Sequence, residues 1–263
     1  MKASPAQAAV IVATAAAALG LTLVAWKSAR DDELAKARIA FEARATGIAR
    51  AIEGRMLDYE QALRGGAGLF AASQTVTPEE WAAYYEATHI ERAYPGLRGF
   101  GYAPYVPAER KAELERWARS AGLPGYAIFP SGTRDAYVPV LYLRPLDESN
   151  RRAIGYDMYA DAVRRRAFDL ARDNGEPAIT AVVTLVQDTQ DTPQPGFLMY
   201  MPIYRQGAPQ STVEERRRAL VGFVYSPFRT LELVTGVIGG SPGVDVRVTD
   251  VTEPASPTIL FAS

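Results

Sequence analysis

The sequence predicts an α+β fold: an N-terminal transmembrane helix, a long stalk helix, and then a region built on antiparallel sheets. Three observations carry this. Residues 8–26 contain no charged side chain. Residues 28–72 contain no proline and repeat apolar side chains every seven positions. From residue 97 onward, short helices interleave with short apolar strands, and several strands follow one another directly. Direct succession favours antiparallel pairing over a doubly wound parallel sheet. With 263 residues, 48% apolar and 22% charged, the chain can bury one or two ordinary cores.

The first element is the run AAVIVATAAAALGLTLVAW, residues 8–26. It is long enough to cross a hydrocarbon layer of roughly 30 Å as a helix. Trp26 stands at its far end, where an interfacial aromatic belongs, and Lys27 and Arg30 follow. A cleaved signal peptide has a shorter apolar core and a small-residue cleavage site, and a buried soluble helix would show a polar stripe. Neither fits as well as an uncleaved signal-anchor over residues 1–27. Lys2 lies before the span and Lys27 after it, so the flanking charges do not choose an orientation.

Residues 28–76 form the stalk and its exit. Leu34, Phe41 and Ile48 make one seven-residue series, and Ala45, Ile52 and Tyr59 make a second, offset by four. This is the a/d stripe of a coiled coil, and it fits either a dimerising stalk or a helix packed on its own domain. Gly65, Gly66 and Gly68 are expected to weaken or end it. A second helix begins at Thr77-Pro78-Glu79-Glu80, a capping box with proline at the first helical position. His89, at the end of that helix, reads as a surface residue rather than a catalyst.

Beyond it, residues 97–106 read as a strand, 107–121 as an amphipathic helix, and 137–143 as a strand. Residues 160–173 form a helix stopped by Asn174-Gly175. Residues 179–186, 196–204 and 219–226 are strands, residues 227–237 a short helix, and 243–251 and 258–262 the closing strands.

The formal net charge of -1 offers no basic face to nucleic acid. Absent cysteine excludes disulfides, zinc-thiolate sites and a Cys nucleophile, and a single histidine excludes sites with several His ligands. No cofactor motif is present. The patches ERRRAL and DAVRRRAF read as solvated faces, and VIGGSPG as a turn. A periplasmic enzyme would need a reactive nucleophile that the sequence does not display.

Ordered blocks over residues 94–263 carry a family resemblance. They are AYPGLRGFGYAPYV, GYDMYADAVRRRAFDLARDNGEPAITAVVTLVQ, QPGFLMYMPIY, TVEERRRALVGFVYSPF and GVDVRVTDV. In this order they resemble the CHASE sensor domain, found outside the membrane in histidine kinases and cyclases and best known in plant cytokinin receptors. The resemblance implies a long helix followed by two PAS-like subdomains. Residues 77–205 would be the membrane-distal, ligand-holding one and 206–263 the membrane-proximal one, with strands shared between them. It also implies an inner-membrane receptor with a periplasmic sensor, a homodimer through the stalk, and a small-molecule ligand of adenine-like or cytokinin-like class. Any kinase or cyclase output would lie beyond Ser263. The rival reading is a dimerising spacer whose pocket is vestigial.

The resemblance places Asp157 where the carboxylate grips a ligand ring, flanked by Tyr156 and Met158. From the residues alone, Asp157 could equally cap the helix that follows. Ile179 and Thr180 match a ligand-facing strand, and core packing explains them as well. Leu185, Phe197, Met199 and Phe223 are candidate walls that double as core, and Tyr137 is a further wall. The loop after Thr180 is longer than in the plant receptors, with Asp188 and Thr189 where a contacting Thr would stand, so a second polar contact is not implied. As a wall residue, Asp157 changed to Ala should lose ligand and keep the fold.

Overall fold

The computed structural model describes residues 5–94, 96–188, 194–238, 244–252 and 257–262. The expected turn at VIGGSPG and Thr189 fall largely or wholly outside the described residues. The chain divides into two compact units, residues 1–50 and 51–263.

In the first unit the chain is one helix, the beginning of α1 (Pro5–Ala72). This helix is long and apolar enough near its start to cross a membrane, and that stretch is entirely unburied. Leu34 and Phe41 remain 59% and 53% exposed. The seven-residue stripe therefore finds no partner within this unit.

The second unit opens with the last turns of α1, where Tyr59, Ala62 and Leu63 are buried. The glycines do not end the helix. A Cβ on Gly66 would stand 2.7 Å from the Phe100 ring, and one on Gly65 would stand 2.6 Å from the Tyr84 hydroxyl. They are the places where α1 approaches its neighbours too closely for any side chain, so tertiary contact outweighs their low helix propensity. Then come α2 (Pro78–Ala87), α3 (Ile90–Ala93), β1 (Phe100–Pro104) and β2 (Val106–Pro107). They are followed by α4 (Lys111–Ser120), β3 (Ala136–Tyr137), β4 (Tyr142–Arg144), α5 (Glu148–Arg151) and α6 (Ala162–Asn174). The rest are β5 (Ala178–Ile179), β6 (Val183–Thr184), β7 (Pro195–Tyr204), α7 (Val213–Ala219), β8 (Leu220–Arg229), α8 (Thr230–Ile238), β9 (Arg247–Asp250) and β10 (Thr258–Ala262).

Local chemistry sets several boundaries as expected. Thr77 and Glu80 close a capping box on α2. Gly175 adopts φ 74° and ends α6. His89 is exposed, with φ 49°, at the start of α3. Other boundaries differ. The strand expected over residues 97–106 is interrupted into β1 and β2, and the one expected over 137–143 into β3 and β4, because β2 and β3 pair with each other away from the main sheet. The strand expected over residues 179–186 is broken into β5 and β6, because the Val182 amide turns away to donate to Asp250 at 3.0 Å. The strand expected to end at Ser226 continues to Arg229, because β8 pairs with β7 along nearly its whole length.

The main sheet is antiparallel in the order β4-β1-β8-β7-β5, with β6 also paired to β7. β8 follows the 205/206 boundary expected from the resemblance, yet it lies in the middle of this sheet, between strands that precede the boundary. β9 and β10 pair with each other in a separate two-stranded sheet. Alternation along the central strands builds two cores. Phe100, Tyr102, Phe197, Met199, Val224 and Phe228 meet α1, α2 and α8 on one face. Leu198, Tyr200, Phe223 and Tyr225 meet Met158 and the Ala167-Phe168-Ala171 stripe of α6 on the other.

Candidate functional site

Asp157 sits where a narrow strip of backbone is held from both sides. Its amide donates to Phe129 O at 2.6 Å, and the next amide, of Met158, donates to Val138 O at 3.1 Å. The carboxylate continues this clamp. Oδ1 accepts from the Val138 amide at 2.8 Å and from the Tyr159 amide at 3.1 Å. Oδ2 lies 3.3 Å from Arg134 Nη1, close enough for an ion pair, yet has no well-directed hydrogen bond. The side chain is wholly buried. Burial pushes its carboxyl above the usual range, against the opposing pull of the two amides and of Arg134 and Lys111.

The capping alternative is thus realised one step earlier than expected. Asp157 caps the short 3-10 turn Met158–Ala160, and Asp161 caps α6 through the Arg164 amide. The expectation that Asp157→Ala spares the fold does not survive this geometry, because the change strips acceptors from two backbone amides.

Beside this clamp, α6 and the sheet enclose a small cavity of about 10 Å³. Tyr156, Met158 and Leu185 line it, three of the residues expected at a ligand site. Arg164, Gln187 and Tyr225 complete its polar wall. The Tyr225 hydroxyl is sealed and has no hydrogen-bond partner. Arg164 is only 5% exposed; it donates to Thr184 O at 2.8 Å and lies 3.3 Å from Asp161 Oδ2. Its guanidinium stands 5.4 Å from the Tyr156 ring centroid, a cation–π distance. The DAVRRRAF patch is therefore not uniformly solvated. Arg164 shares the buried stripe of Ala167, Phe168 and Ala171, a spacing that was visible in the sequence.

The other expected residues scatter. Phe223 shares the core on this face, its ring 4.6 Å from that of Phe168. Thr180 closes the sheet edge, its hydroxyl accepting from the Leu198 amide at 3.0 Å. Tyr137 anchors the preceding loop, donating to Gly132 O at 2.9 Å. Phe197 and Met199 lie on the opposite face, because odd positions of β7 point toward α1 and α8. Ile179 is 48% exposed and lines a different groove with Val163, Leu170 and Asp250. Asp188 is engaged by Arg229 rather than free for a ligand. Among the described residues, no cluster of His, Cys, Asp or Glu could hold a metal ion.

Residues 74–261 match the CHASE domain. A hybrid signal transduction histidine kinase A of Dictyostelium discoideum is 29% identical over 110 residues, which are 40% of this chain and 5% of that protein. The chain therefore spans a small part of that relative. An extracellular ligand-binding receptor from Desulfohalobium retbaense superposes with a TM-score of 0.49 at 10% identity, over 79% of this chain and 29% of that one. The ligand-binding domain of a Pseudomonas aeruginosa amino-acid chemoreceptor in complex with GABA gives a TM-score of 0.46 at 18% identity, over 84% of this chain and 74% of that one. The match to a sensory rather than a catalytic domain covers more than half of the residues, and on that ground the chain belongs to the CHASE domain family.

Proposed function

We propose that this chain is the periplasmic sensor of an inner-membrane receptor of histidine kinase or cyclase type, and that it reads a small planar ligand between α6 and the main sheet. One observation carries the reading: a cavity bordered by Tyr156, Met158 and Leu185 whose lining includes Tyr225, a residue with a buried, unpartnered hydroxyl. An unpaired buried hydroxyl is costly, and a ligand that hydrogen-bonds to it recovers that cost. Asp157, with one carboxylate oxygen lacking a hydrogen bond, stands next to Met158 as a second acceptor for a ring N–H or amino group. The ligand class is purine-like. Residues 77–205 together with β8 make the membrane-distal unit, and β9–β10 begins the membrane-proximal one.

The same cavity supports a second reading. At about 10 Å³ it is about the size of one water, so a ligand must push α6 or residues 185–187 outward to enter. A spacer with a vestigial pocket would keep it closed.

A thermal-shift series on the full chain with adenine and N6-substituted adenines separates the two. Sensing predicts a concentration-dependent rise in Tm that Tyr225→Phe reduces. No rise with any adenine at millimolar concentration would remove the purine-like reading and leave the spacer.

A further inference from the structure

The opposite side of the sheet carries a larger groove, of about 530 Å³, that none of the expected site residues touches. That volume lies in the range of small-molecule sites. It opens where α1 ends, between Phe70, the loop before α2, the outer end of β1 and α4.

Its floor is aromatic. The rings of Phe70 and Tyr102 lie 4.2 Å apart, and Tyr142 is 5.6 Å beyond Tyr102. At the mouth, Trp117 on α4 leaves 42% of its surface exposed. The two tyrosines differ in one respect. The Tyr142 hydroxyl is used, donating to Val76 O at 2.9 Å. Tyr102 is 7% exposed and lines the groove, and among the described residues its hydroxyl makes no hydrogen bond. Burial holds its phenol far above the usual value, so it stays a neutral donor. The charged residues at the rim, Arg110 and Glu113, pair with each other at 3.2 Å.

We infer that this groove is a second ligand site, separate from the Tyr156–Met158–Leu185 cavity, for a flat uncharged aromatic heterocycle whose ring atom accepts a hydrogen bond from Tyr102. The aromatic floor supplies stacking area, and the paired rim charges offer nothing to an ion. The Tyr102 hydroxyl is the donor that sets the required acceptor, since a site built around a buried donor discriminates against a ligand that leaves it unmet.

Quinoline and naphthalene are the probes: same shape, one with a ring-nitrogen acceptor and one without. Binding to the full chain in nanodiscs is read by equilibrium dialysis at neutral pH, with empty nanodiscs subtracting partition into lipid. Quinoline should bind saturably and about tenfold more tightly than naphthalene, the effect of one hydrogen bond. Tyr102→Phe breaks no hydrogen bond among the described residues and should erase that preference. Thr75→Trp, on an exposed loop lining the groove, should block both probes, and Asp157→Asn should change neither. The inference fails if quinoline does not saturate above empty nanodiscs, or if its preference survives Tyr102→Phe. It fails equally if Asp157→Asn abolishes binding. It also fails if Thr75→Trp alters sedimentation instead of quinoline binding, which would make the groove a contact between copies.

Discussion

At the scale of single residues, Asp157 and Arg164 show how much one buried charge organises. Asp157 accepts from the Val138 and Tyr159 amides and stands at ion-pair distance from the Arg134 guanidinium. Replacing it with Ala leaves two amides without acceptors and should cost about 2–3 kcal/mol. Asp157→Asn keeps the Oδ1 acceptor and should cost less. The two variants also separate by pH. Burial raises the native carboxyl above its unfolded value near 4, so the folded state holds the proton more tightly. The stability from this group is full below the unfolded pKa and is lost as pH rises through the native one. Asp157→Asn should remove that part of the slope, checked by urea unfolding across the acid range; an unchanged slope would show that Asp157 is not its source. Asp157 was legible as a capping or ligating carboxylate, because Asp before a helix is a local signal. Its bond to Val138, nineteen positions away in sequence, was not. Tyr225 was missed for the same reason: an unsatisfied hydroxyl is a property of its surroundings, and its own strand reads as ordinary core.

At the scale of elements, α1 contains glycines of opposite meaning. A Cβ at Gly54 meets nothing within 4 Å, whereas one at Gly66 meets Phe100 at 2.7 Å and Val224 at 3.1 Å. Gly54→Ala should therefore stabilise by about 0.5–1 kcal/mol through helix propensity. Gly66→Ala should destabilise by about 1–3 kcal/mol through overpacking. Chemical denaturation of the two variants checks the signs, and equal effects would contradict the close approach. Propensity alone treats both positions alike, which is why the helix was expected to falter at residues 65–68. The Thr77–Glu80 capping box and the Asn174-Gly175 stop were legible because their chemistry is complete within a few residues. The β5–β6 break was not, since it depends on Asp250 arriving from far along the chain.

At the scale of the whole molecule, the seven-residue stripe has two fates. Tyr59 ends in the core of residues 51–263, whereas Leu34 and Phe41 stay open. The reading of a helix packed on its own domain holds at Tyr59. We propose that the open length joins a second copy as a coiled coil. Sedimentation of the full chain in detergent should then show a dimer that Leu34→Glu with Phe41→Glu turns into a monomer; a monomeric parent chain would refute it. The sidedness of the core was half legible. Alternation along β7 and β8 was plain, but which alternate set would face α6 depends on register, and a shift of one residue exchanges the faces. Phe197 and Met199 were assigned to the wrong side for that reason.

β8 presents Phe223 and Tyr225 to one core and Val224 and Phe228 to the other. It is a shared partition one residue thick. Close-packed interiors have little room to absorb a shift on one side alone. A molecule wedged between α6 and the sheet would thus press on the seat of Tyr59, whose ring centre lies 4.7 Å from that of Phe228. On the proposed reading, the partition would make the last turns of α1 a gauge of occupancy on the far face of the sheet.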